Sequence, residues 1–380
     1  MDWIAHELDA LETAHRLRVP ASTRWYGPVQ VDVDGASLTS FCGNDYLGLR
    51  LHPDLRAAAL AATVEHGTGS GASRMVSGNL SLHESAEHSL ARFVGAPSAL
   101  LGTSGYAMNV GALSALLGPD DVVFSDALNH ASLIDGIRLS RARVVVHPHL
   151  DLDALRRELG VSARRRWIVT ESLFSMDGDA PDLRALADLA AEHGAQFYVD
   201  EAHAIGVLGP GGRGLCAAEG VRPDVLVGTL GKSLGGSGAF VAGSAALRLW
   251  LWNRCRAHVF STGISPANAA VATAAVSLLS RDDTSITALQ KNVSLLRGLL
   301  ADGGVSALGR ADSPIVPIVM GDDLRALETC QRLRARGYFV QAIRPPTVPE
   351  GGTRLRVTVS AAHSPDEITR FAEALLALLP

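Results

Sequence analysis

A glycine-rich stretch around one lysine, residues 229–238, is the part of this chain best suited to covalent chemistry. It follows the apolar run 225–227 and precedes the run 239–242, which predicts Lys232 just beyond the end of a strand. The chain has 34 lysine and arginine residues, and only Lys232 and Lys291 are lysines. An amine kept in such an arginine-rich chain indicates chemistry that a guanidinium cannot perform, above all a Schiff base. A solvated lysine in a glycine-rich turn is the alternative interpretation.

Acidic side chains follow two other apolar runs. Glu171 comes after residues 167–169, and Asp200 comes directly after residues 197–199. A carboxylate at the tip of a buried strand is costly to desolvate unless a cation meets it, and the protonated ring nitrogen of a ligand is one such cation. His203 lies three residues after Asp200 and can turn back toward the same site. A helix cap and a surface histidine are the alternative for this pair.

Two further segments begin helical stretches immediately after predicted strands. Ser104, Gly105 and Tyr106 follow the run 99–101, and backbone N–H groups at such a helix start can bind a phosphate. His130 follows the run 122–124 and could stack on an aromatic ligand. An ordinary strand–helix turn and a polar helix-start residue are the alternatives.

Two other kinds of site fit the sequence poorly. Gly231-Lys232-Ser233 matches the end of a phosphate-binding P-loop, but the leading glycine is replaced by Leu226, so the tight loop would be lost. His147 and His149 have no third metal ligand at a diagnostic spacing, and we predict no metal site.

The elements that must position these residues alternate regularly between residues 98 and 243. Seven short apolar runs occur there: 99–101, 122–124, 144–146, 167–169, 197–199, 225–227 and 240–241. Most connections have helical periodicity, the clearest being 182–193. Such alternation predicts a mostly parallel sheet covered by helices, with ligands beyond the carboxyl ends of its strands. Glu171, Asp200 and Lys232 all fall at or just past such ends.

The two ends of the chain have a different pattern. Residues 2–18 read as an amphipathic helix packed on a larger body through Ile4, Leu8 and Leu11, and residues 31–41 read as a hairpin. Beyond residue 280, predicted helices and strands alternate: helices 282–301, 323–336 and 365–379, and strands 315–319, 339–343 and 355–359. We predict an N-terminal segment (1–45), a large α/β domain (46–275) and a smaller C-terminal α+β domain (276–380).

Composition excludes several classes of protein. The 380 residues are 47% hydrophobic and 19% charged, as in a globular enzyme. A net charge of −5 gives no basic surface for nucleic acid or an anionic membrane. The four cysteines lie far apart, which favours a reducing compartment, and the N-terminal residues lack the pattern of a signal peptide. We expect a cytoplasmic protein with no membrane span.

Together, the candidate residues suit a ligand with an aldehyde for Lys232, a ring nitrogen for Asp200 and a phosphate for a helix start. Pyridoxal 5′-phosphate (PLP) has all three groups. Four motifs in order, beginning at residues 44, 171, 200 and 229, resemble the α-oxoamine synthases over nearly the whole chain: Asn-Asp-Tyr-Leu-Gly-Leu, Glu-Ser-Leu-Phe-Ser-Met-Asp-Gly-Asp, Asp-Glu-Ala-His and Thr-Leu-Gly-Lys. These are fold-type-I PLP enzymes that join an amino acid to an acyl thioester with loss of carbon dioxide.

The resemblance implies a role for each matching residue. Lys232, His130, Asp200 and His203 would be catalytic, with Lys232 bonded to the cofactor and His130 stacked on its ring. The cofactor would also contact a further set of residues: Ser104, Gly105, Tyr106, Glu171, Ser175, Thr229 and Thr262. Substrate would contact another set, with Arg16 as an alternative to the first member: Arg18, Asn44, His130, Thr347 and Arg356.

The resemblance also implies partners. Thr262 matches a position that contacts the phosphate of the neighbouring subunit, so a homodimer with shared active sites is expected. The tail 344–349 with residues 354–356 is most similar to family members that use L-alanine and a pimeloyl thioester, carried by coenzyme A or an acyl carrier protein. Glycine with acetyl or succinyl thioesters, serine with a long acyl thioester, aminotransferase activity and a non-catalytic scaffold are the alternatives.

Overall fold

The protein is described by a computed structural model in which residues 2–379 are defined. Its strands run as follows: β1 Thr23–Trp25, β2 Gln30–Val33, β3 Ala36–Ser40, β4 Ser98–Gly102, β5 Val122–Asp126, β6 Arg143–His147, β7 Arg166–Glu171, β8 Gln196–Asp200, β9 Val225–Thr229, β10 Ala239–Gly243, β11 Ile315–Val319, β12 Tyr338–Phe339, β13 Ala342–Ile343 and β14 Arg354–Thr358.

The α-helices connect these strands and cover them. They run as follows: α1 Asp2–Thr13, α2 Pro53–His66, α3 Ser81–Val94, α4 Gly105–Leu116, α5 Ala131–Ser140, α6 Leu152–Glu158, α7 Leu183–Glu192, α8 Leu215–Ala218, α9 Ala245–Arg254, α10 Arg256–Val259, α11 Pro266–Arg281, α12 Thr284–Asp302, α13 Asp323–Ala335 and α14 Pro365–Leu376. Within residues 2–379, none of them combines the length and the apolar character needed to cross a membrane.

The chain divides into two compact units. The larger comprises residues 47–175 and 180–286, and the smaller comprises 1–46, 176–179 and 287–380. The N-terminal segment therefore belongs to the same unit as the C-terminal region. The sequence predicted domain boundaries at residues 45 and 275. The division into two units does not test these boundaries, which stay predictions.

A seven-stranded sheet forms the centre of the larger unit. Its order is β4-β10-β9-β8-β7-β5-β6, and only β10 runs antiparallel to its neighbours. β5 and β9 are buried along their whole length, as expected for strands covered on both faces. All seven predicted apolar runs became strands of this sheet, so the predicted fold class is confirmed.

The smaller unit contains two short sheets. The first has the order β1-β2-β3-β12, and the second has the order β11-β14-β13. Asp34 and Gly35 form the turn of the hairpin predicted over residues 31–41, between β2 and β3, and both have positive φ, as a type I′ turn requires.

Two sequence predictions for this unit are wrong. Residues 339–343 were expected as one strand, but they divide between β12, which pairs with β3, and β13, which pairs with β14. Five residues can form two short strands with different partners or one longer strand with a single partner. Strand propensity is the same in both cases, so it does not distinguish them. The N-terminal helix ends at Thr13, before Arg16 and Arg18, and its apolar residues Leu8 and Leu11 are 45% and 42% exposed instead of packed on a body.

Candidate active site

Lys232 lies just beyond the carboxyl end of β9, where the sequence predicted it. The turn that follows is closed by a hydrogen bond from Gly235 N–H to the carbonyl of Lys232, 3.0 Å long. Gly235 has φ +65°, and a Cβ there would overlap the backbone of Leu49, so glycine is required. The Lys232 Nζ lies 2.7 Å from Nε2 of the buried His203. The amine and the imidazole therefore share one site.

Asp200 and Glu171 are direct neighbours across the β7–β8 ladder. Both side chains are buried, at 6% and 3% exposure. Burial and the charge of Asp200 raise the pKa of Glu171 to about 8, so Glu171 is protonated at neutral pH. Each Asp200 oxygen accepts one hydrogen bond, from Ala202 N–H (2.8 Å) and from Asn109 Nδ2 (2.6 Å). Asp200 thus keeps acceptor capacity for a cationic ligand.

His130 caps the N-terminus of α5. Its backbone N–H donates to Glu171 Oε1 over 2.7 Å, and its Nδ1 accepts from Ser132 N–H over 3.2 Å. Desolvation lowers the pKa of the imidazole, and the positive charge of Lys232 acts in the same direction. His130 is therefore a neutral ring at neutral pH, placed near the lysine and the two carboxyl groups.

The start of α4 provides the predicted anion-binding geometry. Ser104 caps the helix by accepting a hydrogen bond from Ala107 N–H at 3.1 Å. A Cβ built on Gly105 would lie 3.9 Å from the Thr229 hydroxyl, so the helix start and the end of β9 face each other closely. Tyr106 is half exposed, and its hydroxyl donates to Asp135 over 2.5 Å. First-turn N–H groups and a hydroxyl are suitable partners for a phosphate.

Two other predicted cofactor residues lie in the same unit. Ser175 is buried shortly after the end of β7. Thr262 is exposed after α10 and forms an isolated bridge with Ser73, and its hydroxyl has no hydrogen-bond partner within residues 2–379.

A second group of predicted residues lies in the smaller unit. Arg356 on β14 donates through Nη2 to Asn44 Oδ1 (3.1 Å) and to the Tyr46 hydroxyl (3.2 Å), while that hydroxyl also donates to Asn44 Oδ1 (3.2 Å). Because Oδ1 of Asn44 is the acceptor in both contacts, its amide N–H groups are left as donors for a ligand.

The two candidate arginines after α1 differ in their partners. Arg16 forms ion pairs with Asp323 (3.3 Å) and Glu350 (2.6 Å). Arg18 donates to the hydroxyl of Thr347 over 3.1 Å and forms no ion pair within the described part of the chain. Arg18 and Thr347, both predicted to bind substrate, are thus in contact, and Arg18 is the arginine that keeps its charge available.

A set of buried polar residues beneath Asp200 was not predicted from the sequence. Asn109 on α4, Ser132 on α5 and Tyr198 on β8 are joined by hydrogen bonds. The one signal in the sequence was Asn109, the only amide side chain in a helix whose residues are mostly apolar.

Taken together, an amine, a buried carboxylate with spare acceptor capacity and a helix start beside a hydroxyl fit PLP. The comparisons with known proteins agree. Residues 36–375 match the aminotransferase class I and II family. The chain belongs to this family.

Known relatives show which kind of enzyme within the aminotransferase class I and II family this chain resembles. An 8-amino-7-oxononanoate synthase from Anaeromyxobacter sp. (strain K) is 48% identical over 386 residues, covering 100% of this chain and 96% of the relative. One from Paracidovorax citrulli is 43% identical over 390 residues, covering 100% and 95%. The predicted resemblance to α-oxoamine synthases is confirmed.

Two solved structures have the same fold. A variant serine palmitoyltransferase from S. paucimobilis, with PLP and myriocin bound, matches with a TM-score of 0.93 and 30% identity, covering 99% of this chain and 96% of that one. The 8-amino-7-oxononanoate synthase of Francisella tularensis matches with a TM-score of 0.78 and 27% identity, covering 90% and 97%. Fold type I is thereby confirmed, and PLP is the cofactor.

Proposed function

We propose that the chain catalyses the decarboxylative condensation of L-alanine with a pimeloyl thioester, giving 8-amino-7-oxononanoate, carbon dioxide and free thiol, as a step of biotin biosynthesis. A bond forms between the alanine α-carbon and the acyl carbon, while the C–S bond of the thioester and the α-carbon–carboxyl bond break. The observation that carries the proposal is full-length identity of 43–48% to named synthases of this product. The thiol carrier would be coenzyme A or an acyl carrier protein.

The larger unit would provide the proton chemistry. PLP, when bound, supplies an electron sink for the charge left on the α-carbon. The Lys232 amine would take up and return the α-proton, with His203 at 2.7 Å able to share its hydrogen bond. Asp200 would hold a proton on the ring nitrogen, and His130 would pack on the ring. Ser104, Gly105, Tyr106 and Thr229 would bind the phosphate, and Glu171 and Ser175 would complete the cofactor site.

The smaller unit would provide substrate selection. Arg356 has a planar fork that suits the amino-acid carboxylate, and Asn44 has amide N–H groups to donate. Arg18, held by Thr347, would bind the carboxyl group at the far end of the pimeloyl chain. A groove lined partly by Leu11 and Val348 adjoins Arg18 and suits the methylene chain.

A homodimer with shared sites is part of the proposal. The exposed Thr262 lies close in sequence to Phe260, which is 72% exposed, and its bridge partner Ser73 precedes Met75 and Val76, which are 41% and 81% exposed. Exposed apolar residues grouped in this way are typical of a protein interface. A cytoplasmic location accords with such an enzyme.

Condensation of serine with a long acyl thioester is a second candidate. It is favoured by the TM-score of 0.93 to a serine palmitoyltransferase, which exceeds the 0.78 to a synthase structure. The lower sequence identity, 30% against 48%, makes it the weaker candidate.

The test is kcat/KM for L-alanine with pimeloyl, acetyl, succinyl and palmitoyl thioesters on both carriers, then for glycine and serine with the best acyl donor. We expect the highest kcat/KM for alanine with the pimeloyl thioester. It should exceed that for glycine by ~10- to 200-fold, because one methyl group distinguishes those amino acids. Arg18→Ala should lose the preference for pimeloyl over palmitoyl, and Arg16→Ala, the matched control, should keep it. Serine with palmitoyl thioester as the best pair would refute the proposal.

A further inference from the structure

A buried polar cluster under the cofactor site has no part in the roles assigned above. It consists of Asn109, Ser132 and Tyr198, each at most 1% exposed. We propose that Asn109 is a positioning residue that fixes the carboxylate of Asp200 and orients the Ser132 hydroxyl as a donor to Nδ1 of the His130 ring. The inference rests on the proposed function for its kinetic consequence, but its structural content stands on the cluster alone.

Asn109 is the centre of the cluster. Its Nδ2 donates to Asp200 Oδ2 over 2.6 Å and to the Ser132 hydroxyl over 2.9 Å. Its Oδ1 accepts from the Tyr198 hydroxyl over 2.8 Å. Tyrosine must donate here, because burial beside the charge of Asp200 raises its pKa well above the usual range. That donor fixes which end of the amide faces Asp200.

The direction of the hydrogen bonds then continues to His130. The Ser132 oxygen accepts from Asn109, so its own proton is free to donate to His130 Nδ1, 2.8 Å away. The backbone N–H of Ser132 also points at Nδ1, over 3.2 Å. Two donors directed at Nδ1 leave no room for a proton on that nitrogen. The neutral ring must therefore carry its proton on Nε2.

This arrangement links the two sides of the site. Asp200 is held by a neutral amide donor, so the cluster brings no cation that would compete with a ring nitrogen for this carboxylate. His130 is held as an Nε2–H donor by the Ser132 N–H and the Ser132 hydroxyl, and the same amide orients that hydroxyl. A change at Asn109 should therefore alter both residues at once, whereas a change at Ser132 should alter only His130.

The test is nitrogen NMR of the holoenzyme with ¹⁵N-labelled histidine, the His130 signals being assigned by their absence in His130→Gln. We expect an Nε2–H neutral ring in the wild type at pH 7.5. Both variants keep the Ser132 N–H donor, so the ring should stay Nε2–H, but in Ser132→Ala and in Asn109→Ala the Nδ1 signal should move to the position of a nitrogen that accepts fewer hydrogen bonds. Tyr198→Phe, which removes only the hydroxyl, should move this signal less and serves if Asn109→Ala does not fold.

Kinetics separate positioning from a purely structural role. Exchange of the alanine α-proton into deuterated water should fall by about 10-fold or more in Asn109→Ala, as for loss of a hydrogen bond to a charged group. It should fall less in Ser132→Ala, and KM for alanine should change little in either. An Nδ1–H ring in the wild type, or His130 signals unchanged in both variants, would overturn the inference. Absence of the condensation product with the expected tautomer intact would count against the proposed function alone.

Discussion

At the scale of single residues, the site separates two neighbouring carboxyl groups by protonation. Glu171 and Asp200 lie side by side across the ladder, and like charges at that distance in a buried site cannot both persist. The pKa of Glu171, raised to about 8, keeps this residue neutral at pH 7. Asp200 accepts hydrogen bonds on both oxygens, as a carboxylate does. Protonation of Glu171 thus removes a like charge from beside the residue proposed to face the cofactor ring.

The first prediction uses the scarcity of lysine. Borohydride reduction of the holoenzyme should attach the cofactor to the peptide containing Lys232, because its amine lies at the site between His203 and the end of β9. Lys232→Ala should lose both the reducible cofactor and turnover. Lys291→Ala, which changes the only other lysine in the chain, should keep both. Mass spectrometry of the digested proteins identifies the lysine that carries the reduced cofactor. Label on Lys291 would contradict the assignment.

The second prediction concerns the pair of carboxyl groups. Asp200→Asn should slow α-proton exchange of alanine by about 100-fold or more at pH 7, equivalent to ~2.7 kcal/mol, because the ring nitrogen loses its counter-charge. Glu171→Gln should stay within about five-fold of the wild type, since a neutral group replaces a neutral group. Exchange is followed by proton NMR in deuterated water. Equal losses in the two variants would show that Glu171 is ionised, against the assignment made here.

At the scale of elements, a buried glutamate holds the segment that follows His203. Glu201 is fully buried and accepts a hydrogen bond from Cys216 N–H at 2.9 Å. Gly214, at φ +95°, passes so close that a Cβ would overlap the Glu201 carboxyl group. Burial raises the pKa of Glu201 to about 7. The segment that begins at His203 is therefore anchored by a carboxyl group that is protonated below neutral pH.

The third prediction follows from that shift. An acid whose folded pKa is raised stabilises the fold fully below its unfolded pKa, and this contribution is lost as pH rises toward the folded pKa. Between about pH 4.5 and 7, Glu201 should thus reduce the free energy of unfolding by about 3 kcal/mol. In Glu201→Gln this loss should be absent, which urea unfolding of the holoenzyme at several pH values will show. The exposed Glu158→Gln should follow the wild type, and a parallel pH profile for both variants would contradict the prediction.

At the scale of elements, part of the fold could be predicted from the sequence and part could not. The seven strands of the large sheet were predictable because each is a short apolar run between helical connections, and strand ends then placed Lys232, Asp200 and Glu171 at one edge. The division of residues 339–343 between two sheets was not predictable, since it depends on which strands are available as partners. Nor was the role of Asn109, because its partners lie 23 and 91 residues away in the chain.

At the scale of the whole molecule, Thr262, which was predicted to contact the cofactor of a neighbouring subunit, lies at the surface of the described chain. Thr262 is exposed, and its hydroxyl makes no hydrogen bond within residues 2–379. The surface around it includes the exposed side chains of Phe260 and Val76. Burying such side chains would stabilise a dimer. In the proposed dimer, Thr262 would therefore lie at the interface, where it would contact the neighbouring subunit's cofactor.

The last prediction tests this sharing by complementation. Lys232→Ala should be inactive as a homodimer, and Thr262→Ala should bind PLP about 10- to 100-fold more weakly, the effect of one hydrogen bond to a charged phosphate. A mixed dimer should contain one site with both changes and one site with neither, if Thr262 acts in the partner. At limiting PLP, where the Thr262→Ala homodimer is largely empty, the purified mixed dimer should therefore regain about half of the wild-type activity, one intact site in two. If Thr262 acted within its own subunit, every site of the mixed dimer would carry one change. The activity of the mixed dimer would then not exceed that of the Thr262→Ala homodimer.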